Sequence, residues 1–235
     1  MSEYSTREAV TKGAAPFVTP KHPGYLLVKR VGDFVCALLA LVLLSWLLML
    51  IALAVLLLEG RPVLFVQQRP GRGGRLFKLY KFRTMRPAPE GRSVAENAAS
   101  DVARLTRFGR GLRATGLDEL PELFNIARGD LSFVGPRPLL PEYLPLYTAE
   151  QVHRHDVRPG ITGLAQVRGR NLLSWEERFA ADLEYVREVS FGLDLRILAA
   201  TVGLILRGRG AEAPDGPTSR PFTGSMTGMS EFTQQ

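Results

Sequence analysis

Asp118 and Glu119 stand side by side in Leu117-Asp118-Glu119-Leu120-Pro121-Glu122-Leu123, inside a chain with a formal net charge of +7. Adjacent carboxylates ahead of an apolar run can do two kinds of chemistry. One can act as a nucleophile towards phosphorus, as in aspartyl-phosphate enzymes. Its neighbour can hold Mg2+, a hard ion that prefers carboxylate and phosphate oxygen. The alternative is a pair of solvated acids that favour the start of a helix. Pro121 suits a first helical turn, so the sequence predicts a helix starting near Leu117 to Leu120, whose dipole would lower both carboxyl pKa values.

The cations elsewhere in the chain weigh towards chemistry. Lys81 lies in Lys81-Phe82-Arg83-Thr84-Met85, Arg113 closes a basic stretch, and Arg137 sits in Gly135-Pro136-Arg137-Pro138. Prolines on both sides of Arg137 restrict its backbone, and guanidinium forks match phosphate oxygens bidentately. Each of these charges alone reads as a solvated surface group; together they point to phosphate chemistry. Other constellations carry less. His153 and His155 form a His-x-His that fits a structural role better than a metal site. Gly71-Arg72-Gly73-Gly74 lacks the Gly-Lys-Ser/Thr ending of a phosphate loop. Ser132 has no histidine at a telling position, so a hydrolase triad is unsupported.

The elements that must position these groups come in a chain of 235 residues, enough for one domain with appendages. Its 30 Lys+Arg against 23 Asp+Glu favour an anionic partner: nucleic acid, an acidic membrane surface or a phosphorylated substrate. The one cysteine, Cys36, allows no intrachain disulfide and no Cys-based zinc site, which suits a reducing compartment.

Residues 35–58 contain no charged side chain. About 24 helical residues at roughly 1.5 Å each reach about 36 Å, enough for a hydrocarbon core of roughly 30 Å. The run begins too deep in the chain, and is too long, for the apolar core of a signal peptide, so it reads as a retained anchor. Basic residues lie on both sides: Lys21, Lys29 and Arg30 before it, and Arg61, Arg69, Arg72, Arg75, Lys78, Lys81, Arg83 and Arg86 after it. Since basic flanks stay on the cytoplasmic side, both flanks ask to be inside. A re-entrant hairpin satisfies both and a straight span does not, but Ser45-Trp46 at the midpoint is a weak breaker, so both topologies stay open. The anchor, with no aromatic-basic recognition pattern, argues against a nucleic-acid partner.

Elsewhere, residues 62–85 read as short strands around the turn cluster at 69–74, and residues 87–100 as a surface loop. Leu117, Leu120, Leu123 and Phe124 make a helical stripe. Ser174-Trp175-Glu176-Glu177 fits a capping box, ahead of a helix with Phe179, Leu183 and Val186 on one face. Residues 192–206 are almost wholly apolar and fit an interfacial or core helix. Both termini read as loosely ordered.

Several motifs in order resemble the bacterial monotopic phosphoglycosyl transferases, the polyprenyl-phosphate sugar-1-phosphate transferase family. They are Lys29-Arg30-Val31-Gly32-Asp33, Gln68-Arg69-Pro70-Gly71, 78–85, the Asp118-Glu119 motif at 117–123, 128–138 through Gly135-Pro136-Arg137-Pro138, and 158–167 through Arg158-Pro159-Gly160. The small initiating transferases of bacterial protein N-glycosylation have a similar length. The resemblance implies an α+β, mostly helical fold: a membrane-inserted re-entrant helix hairpin plus a small cytoplasmic catalytic domain with interfacial helices and short strands. The expected division is a flexible N-terminus at 1–24, the membrane helix at 25–60, the catalytic domain at 61–206 and a flexible tail at 207–235, with the protein on the cytoplasmic face of the bacterial inner membrane.

The resemblance further implies that Asp118 attacks the sugar-bearing phosphate of a UDP-sugar and releases UMP. Polyprenyl phosphate, usually undecaprenyl phosphate, then takes the phosphosugar. Glu119 would bind Mg2+, while Lys81, Arg113 and Arg137 would hold phosphate oxygens. Relatives of this size often use modified N-acetylhexosamines, including diacetylbacillosamine; the sequence names neither the sugar nor the oligomeric state. A catalytically silent membrane-bound scaffold on the same fold is the competing reading, opposed by the intact dyad and cations. Two departures stand out. Family members usually carry Ser-Pro where this chain has Ser45-Trp46, and often Asn where it has Arg168.

Overall fold

The computed structural model describes residues 21–86, 104–169, 172–206 and 221–224. The expectations for 1–20, 87–100 and most of the C-terminal tail fall outside the described residues. Helix α1 (Pro23–Leu43) and helix α2 (Ser45–Glu59) carry the apolar run and are bent by 64° at their junction. Among the described residues no single helix is long and apolar enough to cross a membrane. Leu44, with φ −97° and ψ 5°, leaves the helical region. The Ser45 hydroxyl donates to the Val42 carbonyl at 2.9 Å. A serine that satisfies a carbonyl of the preceding turn can accompany a bend without a proline.

Both ends of this bent pair are tied to the same body. At the start of α1, Lys29 pairs with Asp194 at 2.6 Å, and the Tyr25 and Tyr185 hydroxyls donate to the same carboxylate at 2.7 Å each. Arg30 donates to the carbonyls of Ile126 and Ala127 at 2.8 and 3.0 Å. At the end of α2, buried Arg83 donates to the carbonyls of Glu59, Gly60 and Arg61. Arg30 and Arg83 therefore serve as helix-end caps for orphaned carbonyls. Leu39, Val42, Leu43, Trp46, Met49, Leu50, Leu53 and Leu57 remain exposed along α1 and α2.

Strands β1 (Leu64–Pro70) and β2 (Leu76–Phe82) form an antiparallel hairpin around a 3-10 turn at Arg72–Gly74, as the turn cluster predicts. Helix α3 (Arg107–Thr115) is capped by the Thr106 hydroxyl, which accepts from the Gly109 amide at 2.9 Å. It ends on Gly116 in the left-handed region at φ 71°, a conformation glycine adopts without a Cβ clash. Gly116 turns the chain into a 3-10 turn at Leu117–Glu119, and helix α4 (Glu122–Arg128) follows with Pro121 at its N-cap. The helix thus begins later than the sequence predicts, and the dyad lies in the turn ahead of it.

Strands β3 (Ser132–Val134) and β4 (Gly160–Thr162) pair in parallel. Helix α5 (Leu164–Arg168), helix α6 (Trp175–Glu188) and helix α7 (Phe191–Leu206) complete the described elements. Ser174 and Glu177 form the expected capping box on α6, and Phe179, Leu183 and Val186 are buried on its inner face. On α7, Ile197 is buried while Leu195, Val202, Ile205 and Leu206 are exposed.

Three linked clusters form the core. Val134, Val157, Leu164, Tyr185, Val186 and Ile197 join the parallel strands to α5, α6 and α7. Ala37, Leu79, Leu123, Ile126 and Leu131 join α1 to β2 and α4. Ile51, Val55, Phe82 and Leu112 join α2 to β2 and α3. The fold is α+β and mostly helical, with short strands, in agreement with the sequence reading.

Candidate active site

Asn125 in α4 fixes the site's first cation. Its amide donates to the Lys78 carbonyl at 2.7 Å and its carbonyl accepts from the Tyr80 amide at 3.2 Å, clamping α4 to β2. Lys81, next along β2, therefore faces the dyad. Its ammonium lies 2.5 Å from a Glu119 oxygen and 3.1 Å from a Glu122 oxygen.

The second cation is placed by a close glycine crossing. Gly135 donates to the Thr162 carbonyl at 2.9 Å, and Gly160 donates to the Pro136 carbonyl at 3.0 Å. A Cβ on Gly160 would come within 2.1 Å of the Gly135 nitrogen, so only glycine lets the two segments approach this closely. Arg137 projects from this crossing, and its guanidinium donates to Glu119 at 3.0 Å. Arg154 donates to the Arg137 carbonyl at 2.8 Å and holds the backbone from behind.

Glu119 thus gathers two cations on one oxygen, Oε1. Burial alone would raise its pKa, but Lys81 and Arg137 more than offset this and hold it at about 2. Asp118 differs. It is buried, and among the described residues it has no hydrogen bond or ion pair. Burial first, and the Glu119 charge second, push its pKa above the ordinary value, against the pull of Lys81, Arg113 and Arg137. The shared lowering expected from a helix dipole therefore fails for Asp118, and Glu119 is lowered by its two cations instead. Desolvation outweighs any dipole at Asp118, and the helix starts four residues further on, at Glu122.

Arg113 sits apart from this knot. It donates to the Thr84 hydroxyl at 3.0 Å and to the Met85 sulfur at 3.2 Å, and acts on Asp118 through its charge. Lys81, Arg137 and the dyad are therefore brought together as the sequence suggests, and Arg113 flanks them.

Two residues that the sequence reading passed over join the site. An open pocket of about 80 Å³ beside the dyad is lined by Arg69, Lys81, Glu122, Arg137, Pro138 and Gly160, among others. Arg69 donates to the Pro138 carbonyl at 3.3 Å and to Gln67 at 2.6 Å, and its buried Nε is without a partner. Burial, with Arg137 nearby, lowers its pKa to about 10, so it stays charged at neutral pH. Glu122 is 3% exposed, and burial raises its pKa to about 7 in spite of Lys81. Both lie in motifs already singled out. The signal for Glu122 was its spacing of three from Glu119; for Arg69 it was the rigid Arg-Pro-Gly.

Glu122 has a testable consequence. Its folded pKa of about 7 lies above the ordinary 4.5, so the folded state binds this proton more tightly than the unfolded chain does. Its contribution to stability is then lost as pH rises from about 4.5 to about 7. Glu122→Gln cannot ionise. It should melt close to the parent at acidic pH and above it at pH 8. Melting curves at pH 5 and pH 8 check this, and a gap that does not widen with pH would mean Glu122 is not held protonated.

His153 and His155 are each held within the fold through Nδ1. His153 pairs with Asp156 at 2.8 Å, and buried His155 faces the Gly71 carbonyl at 3.2 Å, with burial pushing its pKa down to about 3. Arg168 forms a bidentate surface pair with Glu184 at 2.5 and 2.6 Å.

The model of the bacterial sugar transferase family matches residues 24–208. The chain is 47% identical over 200 residues to an uncharacterized sugar transferase, EpsL, of Bacillus subtilis, covering 85% of this chain and 98% of that one. It is 44% identical over 188 residues to a UDP-glucose:undecaprenyl-phosphate glucose-1-phosphate transferase of Caulobacter vibrioides, covering 77% of this chain and 70% of that one. A protein of the same name from Escherichia coli is 42% identical over 185 residues, covering 75% of this chain and 39% of the longer relative. With the dyad, its cations and the pocket in one place, these matches show that the chain belongs to the bacterial sugar transferases, the polyprenyl-phosphate sugar-1-phosphate transferase family.

Proposed function

We propose that this chain transfers a sugar-1-phosphate from a UDP-sugar to polyprenyl phosphate through a covalent intermediate on Asp118. The observation that carries the reading is the contrast within the dyad. Asp118 is buried and unpaired, while Glu119 beside it holds Lys81 and Arg137. A carboxylate with free lone pairs and a raised pKa is a better nucleophile than an ordinary aspartate. Lys81, Arg137 and Arg69 supply positive charge where a diphosphate would enter.

In the first step an Asp118 oxygen attacks the sugar-bearing phosphorus, the bond to the bridging oxygen breaks, and UMP leaves with that electron pair. In the second, a polyprenyl phosphate oxygen attacks the same phosphorus and the bond to Asp118 breaks. The carboxylate is regenerated and the product is a polyprenyl-diphospho-sugar. Names of relatives point to UDP-glucose as the first donor to test, ahead of the modified N-acetylhexosamines. UMP release from a panel of UDP-sugars, with and without undecaprenyl phosphate, tests the reaction. A chain that releases UMP from none of them would be the silent scaffold.

The donor set fits Mg2+. Glu119 uses only Oε1 for its cations, which leaves Oε2 for a metal, and Asp118 is adjacent. Among the described residues no group of three or more His, Cys, Asp or Glu could hold a metal. Mg2+ is commonly bound by one or two carboxylates completed by substrate phosphates, so Glu119 and the donor diphosphate would hold it together. When bound, it would neutralise diphosphate charge. Glu119→Ala should cut the rate and raise the Mg2+ concentration needed for half-maximal activity. An unchanged Mg2+ titration would remove Glu119 from the metal.

The bent α1–α2 pair, attached to one body at both ends and apolar between them, supports a re-entrant anchor in the cytoplasmic membrane. A charge costs roughly 2.5–3.5 kcal/mol at a helix centre on insertion scales, which opposes carrying Lys29 and Arg30 across. Single cysteines at Ser5 and Ser100, in a Cys36→Ala background, should both resist a membrane-impermeant thiol reagent until sealed cells are opened. Labelling at position 5 alone in intact cells would mean a straight span.

A further inference from the structure

Phe222 lies far along the chain from the end of α7, yet it is 3% exposed. Its ring closes an aromatic box. The centroids of Phe179, Trp175, Tyr143 and Tyr147 lie 5.1, 5.3, 5.6 and 6.0 Å away, with edge-on contacts to Phe179 and Tyr143. The box also borders a cation. The Arg154 guanidinium carbon is 5.8 Å from the centroids of both Tyr147 and Phe179. Arg154 is paired with Asp182 and donates to the Arg137 carbonyl at 2.8 Å. Arg137 in turn reaches Glu119. An unbroken set of contacts thus runs from the C-terminal segment 221–224 to the cation that faces the dyad.

We infer that Phe222 is a positioning residue for the transfer reaction: by closing the aromatic box it holds Arg154 against the Arg137 carbonyl and keeps the Arg137 guanidinium aimed at the donor phosphates. The rings of Tyr147 and Phe179 pack against both Phe222 and the Arg154 guanidinium. Without the Phe222 ring they gain room to rotate, and rotation of either ring frees the guanidinium it packs on. Asp182 still anchors Arg154, so the body stays folded while the bond to Arg137 loosens. This rests on the reading of Arg137 as a phosphate-holding residue.

The test uses the full-length chain in a Trp46→Phe background, so that Trp175 is the remaining tryptophan. Phe222→Ala should make Trp175 more accessible to acrylamide and raise KM for UDP-glucose, or the panel's preferred UDP-sugar, by about 2- to 30-fold. Its kcat should stay within about twofold and its melting temperature close to the parent's. Phe222→Leu, which keeps an apolar plug, should recover part of the KM. An unchanged KM with Trp175 opened would overturn the coupling. Trp175 equally quenched in parent and variant would overturn the closed box. A loss confined to kcat, or one that tracks a large drop in melting temperature, would also overturn it by making Phe222 merely structural. Arg137→Ala is measured in parallel. If it leaves KM unchanged, the phosphate role of Arg137 falls and the positioning falls with it, while Trp175 still reports docking.

Discussion

Asp118→Asn is expected to lower UMP release by at least about a thousandfold, the order of loss that follows removal of a covalent nucleophile. The replacement keeps the shape of the side chain and removes the attacking oxygen's charge. It should leave the fold intact. Asp118 is a buried carboxyl whose pKa is raised chiefly by desolvation, so its ionised form costs stability at neutral pH. The amide carries no such cost, and the variant should melt at or above the parent's temperature. The same shift sets the acid side of the pH profile: the rate should fall as Asp118 takes up a proton, at a pH above that of an ordinary aspartate. Turnover by Asp118→Asn near the parent rate, measured as UMP release under saturating donor, would remove Asp118 from the chemistry.

The largest stability effect is expected at Arg154 and Asp182. Their side chains are 2% and 5% exposed, and two hydrogen bonds of 2.6 and 3.0 Å join them. Breaking such a pair leaves one charge buried without a counter-charge, which costs about 3–5 kcal/mol. Asp182→Ala should therefore lower the melting temperature by on the order of 10 °C. The double variant Arg154→Met, Asp182→Leu removes both charges and should recover much of that loss. Circular-dichroism melts of the two single variants and the double decide the matter. A double variant no better than the worse single would show that packing around the pair, rather than the unpaired charge, sets the cost. Arg154 also holds the Arg137 carbonyl, so the double variant should remain impaired in UMP release even where it is stable.

The parts of this architecture that were legible in the sequence are those whose signals are local. The Ser174–Glu177 cap, the hairpin around 69–74 and the apolar run with basic flanks each follow from residues within a few positions of one another. The dyad with Lys81 and Arg137 was legible as well, because rigid turns and prolines mark the segments that carry them. What escaped depends on contacts across the chain. Whether Asp118 is solvated or buried is decided by the packing of the 117–119 turn against β2 and α3, and burial reversed the expected direction of its pKa. Glu122 becomes a pocket residue only because Asn125 clamps α4 to β2. The bend at Leu44 has no proline to announce it; its anchors are Arg30 on α4, Lys29 on Asp194 and Arg83 on the end of α2. The Arg154–Asp182 pair and the docking of Phe222 join residues whose sequence contexts carry no sign of one another.

The central claim is that the phosphosugar passes through Asp118. Incubating the full-length protein with a radiolabelled UDP-sugar and Mg2+, without polyprenyl phosphate, then quenching and mapping peptides by mass spectrometry, tests it most directly. The account predicts a phosphosugar adduct on the peptide containing Asp118, absent in Asp118→Asn and discharged when undecaprenyl phosphate is added. An adduct on any other residue, or rapid product formation with no adduct at any time after mixing, would contradict it.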